Sequence, residues 1–292
     1  MKGLIAFVLI ILFLICGVFG LVRYQESVEY QEYQENQKPL TSVDSDDDGF
    51  SDKFEEQMDS YDPNIQNDRY VVLFSRYDDP EHFTGMAEME TDSAYQFFTQ
   101  KGNVPPENIT ILKEEEATAI SLESAIHQIA EKSDENDIIY LNMQCHGYII
   151  GRLFNGYQAI DEWLDEIEAK VVIVQIMACG SERALPVWKD GPCPRIVFVQ
   201  SAGEFIGGLG TDSEYFITVD SDYGDNNGYV SVGEIGNWRN NVPRGWKDRE
   251  YEPKEDGYWN GKSWIEKEGY SLMSDTSDVA SEIYLTDYKV PS

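Results

Sequence analysis

Residues 137–147 read DIIYLNMQCHG, and residues 170–181 read KVVIVQIMACGS. Each is a short, nearly continuous apolar run, rich in Ile and Val, that stops at small or polar residues. Runs of that length, bounded in that way, form strands buried on both faces. Between them, residues 160–168 (IDEWLDEIE) have helical spacing. Strand, helix and strand make the repeating unit of a parallel sheet.

The same alternation extends outward. YVVLF (70–74) predicts a first strand, and residues 86–101 a helix with Ala94, Phe97 and Phe98 on one face and Gly102 as its stop. NITIL (108–112), introduced by Pro105-Pro106, predicts a second strand. SLESAIHQIAEK (121–132) predicts a helix burying Leu122, Ala125, Ile126 and Ile129, with Ser121 and Ser124 as candidate caps. IVFVQS (196–201) predicts a fifth strand, and residues 232–241 a further helix. The expected fold is therefore α/β: a mainly parallel sheet with helices on both faces, over residues 67–242. Residues 243–292 form an aromatic-rich extension without clear periodicity, in which Trp246, Trp259, Trp264 and Tyr270 are expected to close a small core.

The N-terminal side is organised differently. Residues 3–22 (GLIAFVLIILFLICGVFGLV) carry no charge and are long enough, at about 1.5 Å per residue, to span a bilayer. Lys2 before the run keeps the N-terminus inside and sends the remainder out. The expectation is a signal anchor in the membrane over residues 1–22; cleavage after Gly20 would instead give a secreted protein. Residues 23–43, rich in Gln and Glu, read as a flexible stalk.

Charge removes whole classes of function. Among 292 residues, 22 are Lys or Arg and 54 are Asp or Glu, for a formal charge of −32. A nucleic-acid partner needs a basic face that displaces counterions, and this chain has none to offer. With four cysteines it is no disulfide scaffold. Three of them, Cys145, Cys179 and Cys193, lie beyond the apolar run, so at least one is left over in an oxidising compartment.

Two strand ends carry chemistry. Reactive groups of open parallel sheets collect beyond the carboxyl ends of the strands. The run from 137 ends in Gln144-Cys145-His146-Gly147, and the run from 170 in Ala178-Cys179-Gly180-Ser181. One crossover fits between them, which would set an imidazole and a thiol on one rim. The imidazole raises the thiolate fraction of the nucleophile. Gly147 and Gly180 allow close backbone approach, and their neighbouring amides could face an oxyanion. Cys145 points to the face opposite its neighbour His146 and is the poorer nucleophile. His82 and His127 lie away from any strand end.

The order apolar strand, His-Gly, helix, apolar strand, Ala-Cys resembles the caspase-like fold, and within it the legumain-like cysteine peptidases. RYVVLF (69–74) and DSAYQFFTQKGNVPPENITIL (92–112) resemble the family's first strand, first helix and second strand. The resemblance covers about residues 69–205. It implies a peptide or protein substrate, Cys179 as nucleophile, His146 as general base and acid, and the Gly147 amide as an oxyanion donor. An amine nucleophile would make the same enzyme a transpeptidase. Three positions depart from the family pattern: Met177 replaces an acidic residue, Gly-Ser-Glu replaces Glu-Ser-Gly after the cysteine, and Cys145 replaces Asp. A preference for Asn or Asp before the scissile bond is therefore not implied. The alternative is an inactive caspase-like surface module that binds partners.

A second signal precedes the first strand, in residues 44–66. DSDDDGFSDKFE (44–55) sets Asp44, Asp46, Asp48, Asp52 and Glu55 at positions 1, 3, 5, 9 and 12 of a calcium loop, with Gly49 at the turn and the Phe50 carbonyl at position 7. The following DSYDPN (59–64) resembles thrombospondin type-3 calcium repeats. A second loop, 220–234, places Asp225, Asn227, Gly228, Ser231 and Glu234 at positions 3, 5, 6, 9 and 12. Its first position falls on Tyr223, so Asp222 or Asp220 would have to serve. The expected cofactor is structural Ca2+.

Overall fold

The structure is a computed structural model that describes residues 43–78, 85–200, 219–222, 224–241, 257–259, 264–266 and 271–290. Its strands are β1 (Arg69–Arg76), β2 (Ile109–Lys113), β3 (Ile138–Cys145), β4 (Val171–Met177), β5 (Arg195–Gln200), β6 (Gly257–Trp259), β7 (Trp264–Glu266) and β8 (Ser271–Asp275). Its helices are α1 (Asp52–Glu55), α2 (Met86–Gln100), α3 (Ala119–Ala130), α4 (Gly147–Phe154), α5 (Gln158–Leu164), α6 (Leu185–Trp188) and α7 (Val232–Asn241).

Six strands form one sheet in the order β2-β1-β3-β4-β5-β8. The first five run parallel, and β8 closes the edge antiparallel to β5. The five expected strands form, within a few residues of their expected ends. The antiparallel edge strand falls in the C-terminal stretch where the sequence shows no periodicity. β6 and β7 pair separately. The expected span at 3–22 lies outside the described residues. Among the described residues no helix is long and apolar enough to cross a membrane.

Both faces of the sheet are covered, which is why its strands read as continuous apolar runs. Val72 and Phe74, Leu141 and Met143, and Val174 and Ile176 pack under α3, α4 and α5. Their strand neighbours Val71, Leu73, Tyr140 and Ile173 pack on the other face with Phe97 and Phe98 of α2 and Ile235 of α7. Each fully buried Val, Leu or Ile side chain contributes about 2 kcal/mol. Residues 44–61 and 280–290 join this second core through Phe50, Phe54, Tyr61, Tyr284 and Leu285.

Two expected details differ. Helix α3 starts at Ala119, because Thr118 caps it: Thr118 Oγ1 accepts from the Ser121 amide at 3.1 Å while Ser121 Oγ accepts from the Thr118 amide at 3.0 Å. That reciprocal box makes Ser121 the partner of the cap rather than the cap itself. Helix α4 begins directly after His146, where no helix was expected; its eight residues are too few for periodicity to stand out.

Candidate active site and cation loop

The strand order reverses between β1 and β3, because the chain steps out from β1 to β2 and then crosses back. Ligand crevices of parallel sheets open at such a switch point, beyond the carboxyl ends. Register sets Arg76 opposite Cys145 and Gln144 opposite Met177. Tyr77, His146 and Cys179 therefore leave three neighbouring strands on one rim.

His146 caps α4 with extended backbone (φ −65°, ψ 140°), and its carbonyl accepts from the Ile149 amide at 2.9 Å. Its ring is flanked by two tyrosines. Tyr77 meets it in a T-shaped contact, with centroids 5.4 Å apart, and Tyr148 stacks on it at 5.3 Å. Cys179 is exposed at the tip of a turn fixed from both sides. Gln200 O accepts from the Ala178 amide at 3.0 Å and from Ser181 Oγ at 2.8 Å. Gly180 has a left-handed φ of +77°, and its carbonyl accepts from Tyr157 OH at 3.2 Å.

Gly147 joins the two strand ends. A Cβ added there would stand 1.9 Å from the Cys179 carbonyl oxygen and 3.2 Å from the Cys179 Cβ. Backbone at the start of α4 thus lies directly on the cysteine turn, and only glycine leaves room for it. The structure therefore brings Gly147, the residue after His146, against the Cys179 turn. Cys145 is buried; burial first, then Glu90 and Cys179, push its thiol up to about 12. Burial also pushes up Cys193. His127 faces Glu166 at 3.4 Å from its place on α3, and His82 lies outside the described residues.

Sequence reading missed the polar layer behind this rim. Ser75 and Tyr77 from β1 and its exit, Gln144 from β3, and Glu90 from α2 meet below the strand ends. Tyr77 OH donates to Glu90 Oε1 at 2.9 Å and Oε2 at 3.1 Å, and Ser75 Oγ to Oε2 at 3.0 Å. The Gln144 amide is oriented from this network: with its nitrogen toward Glu90 it donates at 3.1 and 3.2 Å. Glu90 is pushed up to about 7 by its burial, against the lowering effect of Tyr77 and Ser75. The signal was present as single polar residues, Ser75, Asn142 and Gln144, inside otherwise apolar strands.

The first acidic loop is built as a cage. Asp44 Oδ1 and Oδ2 accept from the Asp47 and Gly49 amides at 2.8 and 3.0 Å, and Asp48 accepts from the Phe50 and Asn67 amides at 2.7 and 2.9 Å. Oxygens of Asp44, Asp46 and Asp48 lie within 4.8 Å of one another. Both carboxylate oxygens of Asp46 and of Glu55 are buried without a hydrogen-bond partner, although Glu55 is only 1% exposed. Burial, then Asp48, Asp46 and Asp44, push Glu55 up to about 8. The chemistry of this set suits a hard divalent cation, which would give the four buried oxygens a partner. Asp52 differs from expectation. Its carboxylate turns to Ser45, accepting from the amide at 2.7 Å and from Oγ at 2.8 Å.

The second loop groups Asp220, Asp225 and Glu234, whose oxygens lie within 4.8 Å. Asp222 is not in the group, because residues 219–222 form a helical turn that leaves it exposed, accepting from Ser221 Oγ. Asn227 bridges Asp225 and the Tyr229 amide. Ser231 and Glu234 form a capping box for α7, each accepting from the other's amide. Asp220 accepts from the Gly228 amide and Asp225 from that of Asn227, so every carboxylate of this group has a partner within the protein.

The fold and rim together define a doubly wound α/β domain with an imidazole beside its switch point and an exposed thiol beyond the end of the next strand. No protein-family description and no curated protein matches the chain. The crystal structure of protein GSU0716 from Geobacter sulfurreducens is similar at a TM-score of 0.39 and 13% identity, covering 77% of this chain and 99% of that one. So slight a likeness bears on neither activity nor site.

Proposed function

We propose that this chain is a cysteine peptidase of the legumain-like kind within the caspase-like fold, with Cys179 as nucleophile and His146 as its base. The observation that carries the reading is the seating of Gly147 on Cys179, which joins the imidazole's strand to the thiol's turn.

In this reading the Cys179 proton passes to the His146 imidazole, and the sulfur attacks a peptide carbonyl carbon. Negative charge on that oxygen faces the Gly147 amide at the start of α4. The intermediate collapses when the imidazolium gives its proton to the leaving amine, and a thioester remains. Water, deprotonated by His146, releases the acid and restores the thiol. An amine in place of water would form a new peptide bond.

The remaining expectations belong to the same reading. The apolar run 3–22 anchors the chain with its catalytic domain outside the cytoplasm. One structural Ca2+ would be held by Asp44, Asp46, Asp48, the Phe50 carbonyl and Glu55. It would supply the positive charge that lets four carboxylates share one buried loop.

The test uses the full chain in detergent micelles, with calcium and mild reductant. It is incubated with a panel of peptidyl acyloxymethyl ketones, and adducts are mapped by mass spectrometry. Labelling at Cys179 that disappears in His146→Ala is the expected result. Labelling indifferent to His146, or none at Cys179, refutes the peptidase and favours the inactive binding module.

A further inference from the structure

The proposed reaction needs an imidazole held in one place, and two aromatic rings, Tyr77 and Tyr148, pack against His146. Tyr77 is the one that is tethered from behind. It leaves β1 one residue after the register pair Arg76 and Cys145, which sets it beside His146. Its ring is buried, 6% exposed, and its hydroxyl reaches back to Glu90 on α2.

A buried carboxylate is a costly way to fill that space. A Phe and a Leu would pack a core equally well without stranding a charge. Here Ser75, Tyr77 and Gln144 all spend donors on Glu90. The groups facing it are Ser75 and Tyr77 from β1 and its exit, Gln144 and Cys145 from β3, and Glu114 after β2. Arg76 turns elsewhere, to Asp78 and the Ala117 carbonyl. What the arrangement secures is the orientation of one aromatic ring. The reactive state of a thiol–imidazole pair is thiolate and imidazolium.

We propose that Tyr77 is a positioning residue for His146, fixed by the Glu90 carboxylate through its hydroxyl, so that α2 sets the imidazole of the proposed dyad. This rests on the peptidase reading above. It adds a residue pair that resemblance to the family does not supply. Glu90 is pushed up to about 7, so its charge changes within the range where such a pair works.

The experiment measures second-order alkylation of Cys179 by iodoacetamide between about pH 5 and 9, on the full chain in micelles. Wild type is compared with His146→Ala, Tyr77→Phe, Tyr77→Leu, Glu90→Leu and the double variant Tyr77→Phe/Glu90→Leu. Tyr77→Phe keeps the ring and cuts only the tether, and Glu90→Leu removes its acceptor. Tyr77→Phe and Glu90→Leu should each slow alkylation near pH 7 by roughly threefold to tenfold and move the acid-side midpoint upward, toward that of an ordinary thiol. The double variant should lose no more than either single one, because both cut the same link. Tyr77→Leu should lose more; should it fail to fold, Tyr77→Phe decides. A merely structural role would lower the unfolding midpoint and leave the alkylation profile in place. If Tyr77→Phe and Glu90→Leu keep the wild-type profile while His146→Ala shifts it, the positioning role is overturned and the dyad stands. If His146→Ala shifts nothing, the dyad falls, and the positioning role with it.

Discussion

Arg69, the first residue of β1, donates through Nη2 to the main-chain carbonyl of Asp48 at 2.9 Å, and its guanidinium lies 3.7 Å from the Phe50 ring centroid. One buried cation therefore ties the sheet to the acidic loop while the loop's carboxylates face inward. Arg69 alone cannot balance Asp44, Asp46, Asp48 and Glu55. Calcium at about a hundred times its dissociation constant should stabilise the domain by ~2.7 kcal/mol. For a domain of this size that is a rise in Tm of about 5–10 °C. Differential scanning calorimetry with calcium and with chelator measures it. Asp46→Asn and Glu55→Gln should remove the increment, and Asp222→Asn should keep it.

Gly147→Ala is expected to separate the two strand ends. The added carbon cannot occupy a point 1.9 Å from a carbonyl oxygen, so α4 or the cysteine turn must move. Overpacking of this kind costs about 1–3 kcal/mol of stability. A misplacement of ~1 Å at a reacting pair costs on the order of a hundredfold in rate. Urea unfolding and Cys179 labelling, measured on the same sample, should show a small loss and a large one.

The three described thiols should differ sharply in reactivity. Cys145 is held near 12 by burial, Cys193 is raised by burial, and Cys179 is exposed. Brief iodoacetamide treatment at neutral pH, read by peptide mass spectrometry, should label Cys179 at least about a hundredfold faster than Cys145. Equal labelling of the two would mean that β3 opens readily at its end.

Glu90 makes stability depend on pH in a known direction. Unfolded, its carboxyl titrates near 4.5; folded, it holds its proton to about 7. Between those values the native state binds more protons, so its contribution to stability is full below about 4.5 and lost as pH rises through 7. The loss is about 3 kcal/mol. Glu90→Gln should be free of it. Urea midpoints of wild type and variant should therefore diverge from pH 5 to pH 8, with wild type falling further.

Arg195 is wholly buried at the start of β5 and donates to Asp161 at 2.6 Å and to Asp165 at 2.5 Å, both next to or within α5. Arg195→Ala strands Asp161 and should cost ~3–5 kcal/mol. Asp165 is half-exposed, so Asp165→Ala should cost under about 1 kcal/mol.

Strand positions were legible because burial on both faces leaves short apolar runs rich in Val and Ile and bounded by polar or small residues, as in Val171–Met177. The rim was legible too: His146 and Cys179 stand where apolar runs stop. The antiparallel β8 was not. It pairs on one edge only, and its residues, SLMSD, carry little apolar content. Glu90 was hidden for another reason. On α2 it reads as an ordinary surface acid, and only the crossing of α2 over the ends of β1 and β3 buries it. The hydrogen bonds from Ser45 to Asp52 were not legible, because a spacing pattern does not show which side chain a carboxylate meets within its own loop. The length of the second loop was open for the same reason, and backbone geometry chose Asp220 over Asp222.

Ser51 N donates to Asp287 Oδ2 at 3.2 Å across 236 residues, and Tyr284 N donates to Tyr61 OH at 3.1 Å across 223. The core that holds the acidic loop is thus shared by the earliest and latest described parts of the chain. During synthesis, at about 5–20 residues per second, the sheet strands β1–β5 emerge well before residues 280–290. Until then Phe50, Phe54 and Tyr61 have no lid, and the loop has no floor. A nascent chain arrested after β5 therefore exposes an aromatic face to chaperones and proteases.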